Sequence, residues 1–595
     1  MQNPFFRLFL ASLAILCFSN FFNQPTAPVP TFLPNKVVQQ PFTAFALCNG
    51  GGNFILNDSI AYPAPLFDDM GAFSVAVTTK SKRAQKFFDQ GLKLSYGFNH
   101  SEAIRSFKEA AKIDPNCAMA YWGEALALGP NINDPAPNKE RERAAWKAIT
   151  MAKGLSKMVS KKEEDLIHAF STRYMADTAH LNRDSLNLVY RDAMWKLSKD
   201  YPLDNEVQTL FAASIMNTMP WDYYTPKLQA KEHVPTAIAS LEKVIANNPE
   251  HPGAHHYYIH IVEASDNPDR GVPSADALGA LVPGAGHLVH MPAHIYARVG
   301  RYADAANSNI AAILADEEYI AQCQAEGVYP LGYYPHNIHF LWMATSFQGK
   351  EKEALDAAEK IASKVPIGLA TDMDFLQEFL AVPLQAYVRF GKWNDILTTP
   401  IPAENMQQYR LFLHYARGVA FTRKGLYQQA QGEIDALLSL KKEMLPEAPE
   451  IEEAGAKAMS HADSVNARVP ENMMTIALNI VKGELAAAQG DYDTAVNLLV
   501  EAVTAENDLP YDEPPTWHQP VRHVLGGILV EAERYEEGIA VYQQDLKNNR
   551  DNGWSLFGLQ QCLEKLGKKE EARKVKVKFE KAWSAADVQL TSSRF

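Results

Sequence analysis

One order of residue sizes recurs along this chain with a period of about 34 residues, and few architectures satisfy it. Residues 84–117 set the register with Phe87, Gly91, Leu94, Ala103, Phe107, Ala110 and Pro115. A bulky residue is followed by a small one four positions on, then by a large one, an Ala, an aromatic and finally Pro. Steps of three and four belong to one face of a helix. The small residues let two helix backbones approach closely, and Pro115 stops the second helix. The pattern predicts pairs of antiparallel helices.

This is the signature of the tetratricopeptide unit. A second unit spans 287–318, with Ala293, Tyr296, Gly300, Ala305 and Ala312. A third spans 411–442, with Phe421, Gly425, Ala430, Ile434 and Leu437. Further units lie at 476–507 (Gly483, Gly490, Ala495, Leu499, Ala502), 519–550 (Gly526, Leu529, Gly538, Tyr542) and 553–586 (Leu563, Gly567, Ala572, Phe579). Helical hairpins of weaker register are expected at 139–200, 204–246 and 336–365. One match arises by chance; six in one chain set the fold class. That class is all-α, a solenoid of helical hairpins in a right-handed superhelix with loop insertions at 129–138 and 265–286.

The ends and the charge refine this. Arg7 precedes an apolar run, Leu8 to Phe18, of signal-peptide length and short of the ~20 residues a spanning helix needs. An uncleaved anchor is the alternative. We expect a signal peptide at 1–23 and an extended Pro-rich linker at 24–74. N-terminal hairpins would follow at 75–250, a histidine-rich centre at 251–365 and C-terminal repeats at 366–595. The expected location is periplasmic or secreted. A lipid anchor is not indicated, since Leu16 precedes Cys17 and Cys48 lies too far in. No other stretch is apolar enough to span a bilayer. Net charge is −13 with both signs dispersed, so nucleic acid is not an expected partner. The five cysteines are scattered, and Cys117, Cys323 and Cys562 read as small buried side chains.

Histidine is the least random feature. Nine of the 17 fall between residues 251 and 339, where an even spread would place about 2.5. At about 100° per residue, His287, His290 and His294 occupy one narrow stripe of a helix. His256, His260 and Glu263 form another, and His336 and His339 share a face. Pairs at i,i+3 or i,i+4 offer two ligands to one metal. Zinc, copper and iron all accept imidazole nitrogen. First helices of neighbouring hairpins would line a concave surface, so three successive hairpins could converge on one ion or a close pair. Glu263 would be a ligand, orient one, or act as a base. Taken singly, each His is as well explained as a packing residue bonded to a carbonyl.

Trp221, Tyr258, Tyr296 and Tyr334 would wall a pocket for an organic ligand, and Arg298 would meet a carboxylate. His414, Trp517, His518, Arg522 and His523 would join the cavity if the superhelix curls far enough. No Gly-x-Ser-x-Gly, phosphate loop, Gly-x-Gly-x-x-Gly, Cys-x-x-Cys or His-Glu-x-x-His occurs. Two readings follow: a metal-binding protein, as a copper- or iron-dependent oxidoreductase in its enzyme form, and a scaffold gripping a peptide or protein in its groove without metal.

Several segments resemble a family of bacterial tetratricopeptide repeat proteins. They are Phe87-Phe88-Asp89-Gln90-Gly91-Leu92, Tyr96-Gly97-Phe98-Asn99-His100, Gly129-Pro130-Asn131-Ile132-Asn133 and His251-Pro252-Gly253-Ala254. With them go Tyr258-Ile259-His260, the run from Pro283 to Tyr296, Tyr334-Pro335-His336-Asn337-Ile338-His339-Phe340, and Asn552 to Gly558. The resemblance covers residues 75 to 580. It implies a helical repeat fold in a bacterial, commonly exported protein. It brings no activity with it, so the roles of the histidines rest on spacing.

Overall fold

The computed structural model describes residues 64–177, 182–323, 329–445 and 461–595. The expected signal segment, the linker as far as residue 63, and Cys17 and Cys48 lie outside the described residues. Among the described residues the structure is helical. Strand-type pairing is confined to two isolated bridges, Asn131 with Asp134 and Tyr224 with Ala230.

Eight helices make the first four hairpins. They are α1 (Lys82–Tyr96) with α2 (His100–Ile113), α3 (Ala118–Leu128) with α4 (Lys139–Leu155), α5 (Lys161–Ser171) with α6 (Arg183–Asp200), and α7 (Asn205–Met216) with α8 (Val234–Asn247). The centre holds α9 (Pro252–Val262), the short α10 (Val272–Leu278), α11 (Gly286–His290) and α12 (Pro292–Arg298). It continues with α13 (Tyr302–Cys323), α14 (Tyr334–Phe347) and α15 (Glu351–Ser363). Then come α16 (Ile367–Ala370), α17 (Asp374–Arg389) and α18 (Trp393–Thr398). Four further hairpins follow: α19 (Gln407–Arg423) with α20 (Tyr427–Met444), α21 (His461–Ala488) with α22 (Tyr492–Asn507), α23 (Val521–Glu531) with α24 (Tyr535–Asn548), and α25 (Gly553–Lys565) with α26 (Lys569–Ala582). This is the tetratricopeptide-type array. All six repeats read from the sequence fall on helix pairs.

Local chemistry explains the ends. Ser81 and Asn99 cap α1 and α2 by accepting from the backbone N–H three residues on. The crossings need absent side chains. A Cβ on Gly91 would lie 2.8 Å from the Phe107 ring, and one on Gly123 would lie 2.3 Å from it. Gly526 and Gly558 stand in the same relation to Tyr542.

Three expectations need correction. Residues 139–200 are not one hairpin, because α4 pairs back onto α3 across the loop at 129–138. Residues 265–286 are not all loop, because α10 forms within them. An unexpected pair, α17 and α18, fills 374–398; its second helix is only six residues long and too short to show a period. The cysteines 117, 323 and 562 are free and buried. Among the described residues no helix is long and apolar enough to cross a membrane.

The array also folds back on itself. The Trp554 indole N–H donates to the Ser346 carbonyl at 3.0 Å, and the Asp587 carboxylate accepts from the N–H of Glu351 and of Lys352. Arg550 pairs with Asp269 at 2.6 Å. Tyr511 joins the apolar core built from residues 70–347. The central helices are therefore covered by the C-terminal part of the chain rather than open to a groove.

Glycine substitutions test the crossings. Gly123→Ala should lower stability by roughly 1–3 kcal/mol, because the ring of Phe107 must move. Gly432→Ala, on α20 with nothing within 4 Å of the added carbon, should raise it by about 0.5–1 kcal/mol. Denaturation midpoints of the two variants should move in opposite directions, and equal shifts would contradict the packing account.

Candidate metal centre

The block from 251 to 339 sorts into structural and converging histidines. His251 caps α9, its Nδ1 accepting from the Ala254 N–H at 3.1 Å. Its Nε2 lies 2.8 Å from Glu206. His255 is bonded to Ser274 and to the Pro249 carbonyl. Both are explained by packing alone.

Six others converge. His256, His260 and His287 bring one ligand atom each within 4.8 Å of one another, and His290, His294 and His336 do the same. All six are at most 7% exposed. The two triads are neighbours, since the His260 and His294 rings are 5.8 Å apart, as are those of His287 and His290. The stripe predicted for 287, 290 and 294 holds although Pro292, lacking an N–H, divides it into α11 and α12. Met291 between them keeps helical dihedrals (φ −51°, ψ −34°).

The outer nitrogens of three rings are hydrogen-bonded, and that of a fourth, His294, lies at ion-pair distance from a carboxylate without a hydrogen bond of good geometry. His256 Nδ1 donates to the Tyr96 carbonyl. His290 Nδ1 lies 2.7 Å from Asn309 Oδ1. The Asn309 amide is oriented by its own N–H on the Ala305 carbonyl, so its oxygen faces the ring and Nδ1 must be the donor. The carboxylate of Glu263 serves two rings. Oε1 accepts from His260 Nδ1 at 3.1 Å, and Oε2 is 2.7 Å from His294 Nδ1. Each ring keeps its Nε2 for the interior. His256 and His287 bring Nε2 atoms to 3.2 Å, and His290 and His294 to 2.9 Å. Two bare nitrogens at such distances repel unless a proton or a cation lies between them. Tetrahedral coordination with bonds of about 2.0–2.1 Å sets ligand nitrogens roughly 3.3 Å apart, close to both values. His260 Nε2 and His287 Nδ1 are buried without a hydrogen-bond partner.

Aromatic rings seal each triad. Phe98, in the left-handed region at φ 54°, stacks on His287 and His260 at 5.3 and 5.9 Å. Phe340 lies 4.8, 4.6 and 5.1 Å from His290, His294 and His336. Trp221 stands edge-on to His260 at 4.7 Å. A π-helical turn, Tyr329–Tyr333, leads into α14 and places Tyr333 4.9 Å from His287.

Burial, with neighbouring imidazoles adding to it, holds His256, His287, His290 and His336 well below the usual histidine range. They are neutral and available as ligands. Burial alone would raise the Glu263 carboxyl, but the facing His294 and His260 outweigh it and hold it low. Burial likewise works against a charged His294, and Glu263, then Glu513 and Asp512, overcome it and raise that ring. Burial, then the Glu263 charge, pushes Glu513 up to about 8. Glu263, His294 and Glu513 form a third close group.

Several expected residues lie elsewhere. His339 stacks on Trp342 and belongs to neither triad. Tyr258 turns to Glu242 and Arg270, Tyr296 to Asp276, and Tyr334 to Glu317. Those three hydroxyls are held by charged partners away from the histidines. Arg298 donates to the backbone carbonyl of Glu263, and its Nε also lies 3.8 Å from Glu513 Oε1, the acidic group it meets. His414 pairs with Glu433 and His523 with Asp545. Sequence reasoning missed Asn309 and Glu513, which carry no local signal. It also missed Phe98 and Phe340, which lie inside the family-like motifs.

Acid should unfold the metal-free protein early. Four imidazoles resist protonation in the fold but take protons near pH 6.5 once unfolded. Stability is therefore present above pH 6.5 and lost as pH falls below it. Thermal midpoints of chelator-treated protein should drop steeply between pH 7 and 5; a flat profile would contradict neutral buried rings.

No protein-family model matches the chain, and no curated protein matches it. Among solved structures it is similar to a human IFIT1 dimer with m7Gppp-AAAA, at 12% identity and a TM-score of 0.30 over 80% of this chain and 91% of that one. It is similar to yeast Tom70 at 13% and 0.24, over 86% and 93%. It is similar to the P58(IPK) TPR domain at 12% and 0.19, over 82% and 99%. At these scores the likenesses bear on neither the site nor its chemistry.

Proposed function

We propose that this protein binds transition metal in its buried histidine cluster, with one ion on His256, His260 and His287 and a second on His290, His294 and His336. The observation that carries the reading is the orientation of the rings. Nδ1 atoms of His256, His260 and His290 are held by a carbonyl, a carboxylate or an amide oxygen, that of His294 is in ion-pair contact with Glu263, and the Nε2 atoms of His256, His290 and His294 turn inward. Outer-nitrogen partners of this kind orient metal-ligating histidines and raise their basicity. The donor set is imidazole alone, which suits copper, iron or zinc. Of the roles open to Glu263, orienting two ligands fits best, since both its oxygens already face Nδ1 atoms.

Three ligands leave a coordination position open, as catalytic rather than structural sites do. With copper or iron the centre would support oxidoreduction, and the phenylalanine seals would keep bulk water out. In the metal-free state a proton on His294 Nε2 is placed to bridge to His290, so metal uptake releases protons. The signal-like N-terminus supports an exported protein.

Elemental analysis of tag-free protein after reconstitution with copper, iron or zinc should give two equivalents per chain. His290→Ala/His294→Ala and His256→Ala/His260→Ala should each leave about one. No metal in the wild type under any of these loadings would sink the proposal. Glu263→Gln keeps the shape but loses the charge, and should weaken metal binding about 10–100-fold.

A further inference from the structure

A chamber of about 170 Å³ lies beside the second triad, between α12 to α14 and the segment from Glu506 to Arg522. Its walls include Tyr302, Met343, Phe347, Tyr511 and Trp517. A dry cavity of about 150 Å³ takes up benzene, so this one has room for a single ring with a small substituent. Aromatic and thioether walls suit the face of such a ring.

Its polar groups narrow the ligand further. Tyr302 Oη, Trp517 Nε1, His518 Nδ1 and Arg522 Nε are buried without a hydrogen-bond partner, and all four residues line the chamber. Their side chains are more than nine-tenths buried, at 3–6% exposure. Buried polar atoms are nearly always partnered, so four among the residues of one cavity favour an occupant with oxygen over a plain hydrocarbon. Neither cation in the lining is free for an anion. Arg522 donates to Glu506 and Asn507, and Arg298 to the backbone carbonyls of Glu263 and Ser265, while carboxyl groups of Glu506, Asp512, Glu513 and Asp545 offer oxygens to the space. An oxygen that accepts from an indole N–H and donates to a carboxylate is a hydroxyl.

We propose that the chamber binds a small, uncharged, single-ring phenol. The site stands on its own lining and does not depend on metal. It adjoins the histidines through Glu513, whose Oε2 is 3.8 Å from His294 Nδ1, and through Arg298, bonded to the backbone of Glu263. A bound ring would rest next to the second triad.

Titration calorimetry on the full chain with phenol, benzene and benzoate tests this. Phenol should bind one to one, and benzene and benzoate each about tenfold more weakly. Trp517→Phe keeps an aromatic wall but removes the N–H, and should weaken phenol roughly three- to tenfold. Met343→Trp should fill the chamber and abolish binding; if it fails to fold, Trp517→Phe decides. Binding should persist in His290→Ala/His294→Ala, which separates this site from the metal centre. The proposal falls if phenol binds no better than benzene or benzoate, if the Trp517 and Met343 variants bind as the wild type does, or if binding disappears with the two histidines.

Discussion

A neutral imidazole buried away from water has one N–H that must find an acceptor, or the fold loses a few kcal/mol for each ring. Six imidazoles meet in this interior; burial keeps five of them neutral, while Glu263 raises His294. Three have acceptors, the Tyr96 carbonyl and Asn309 Oδ1 from other helices and Glu263 Oε1 from three residues beyond His260, and His294 is ion-paired with Glu263 Oε2. They set ring rotation as well as protonation. A ring whose Nδ1 is held outside presents Nε2 inside, so the same contacts that make burial tolerable create a cavity lined by lone pairs. Removing one acceptor would strand an N–H and release a ring together.

The repeat architecture makes this assembly reachable. Helices α1, α9, α11, α12 and α14 each contribute a histidine or an acceptor, and none could alone. A close crossing at Gly253, where a Cβ would lie 2.5 Å from the Tyr96 ring, lets α9 approach α1 so that the Tyr96 carbonyl reaches His256. Return of the C-terminal hairpins, through Trp554 on Ser346 and Arg550 on Asp269, covers the centre from the other side. An open solenoid would leave these histidines in water, where their pKa values would not fall and their rings would not be fixed.

Much of this was legible in the sequence, for a physical reason. Helical hairpins repeat, so the residues at their crossings repeat, and a period can be counted. Histidines at three- and four-residue spacing lie on one helical face whatever the rest of the chain does. His287, His290 and His294 were therefore placed correctly relative to each other even though Pro292 interrupts their helix. What could not be read is contact between elements far apart in sequence. Glu513 lies more than 200 residues beyond His294, and Asn309 looks like any other polar helix residue. That the hydroxyls of Tyr258, Tyr296 and Tyr334 turn outward could not be read either, because a tyrosine beside a histidine cluster looks the same whether its hydroxyl faces the cluster or an outer carboxylate. The pairing of α3 with α4 was hidden by the loop at 129–138, which separates two helices that belong together.

Glu263 is where the two triads stop being separable. One carboxylate holds a ring from each, His260 through Oε1 and His294 through Oε2. An ion on His290, His294 and His336 would displace the charge-balancing proton on His294 and alter what Glu263 offers His260. The other triad would feel that change, and coupling between equilibrium binding sites acts by the same factor in both directions. For the proposed pair of ions, loading is then expected to be cooperative in one sense or the other rather than independent. The sign follows from a balance: two cations repel in an apolar interior, while an ordered Glu263 lowers the cost of fixing the second set of rings. Burial strengthens the repulsion, because little water is present to screen it. The single shared carboxylate is the only negative charge placed between the triads among the described residues that is held low enough to oppose it, since Glu513 is pushed up to about 8.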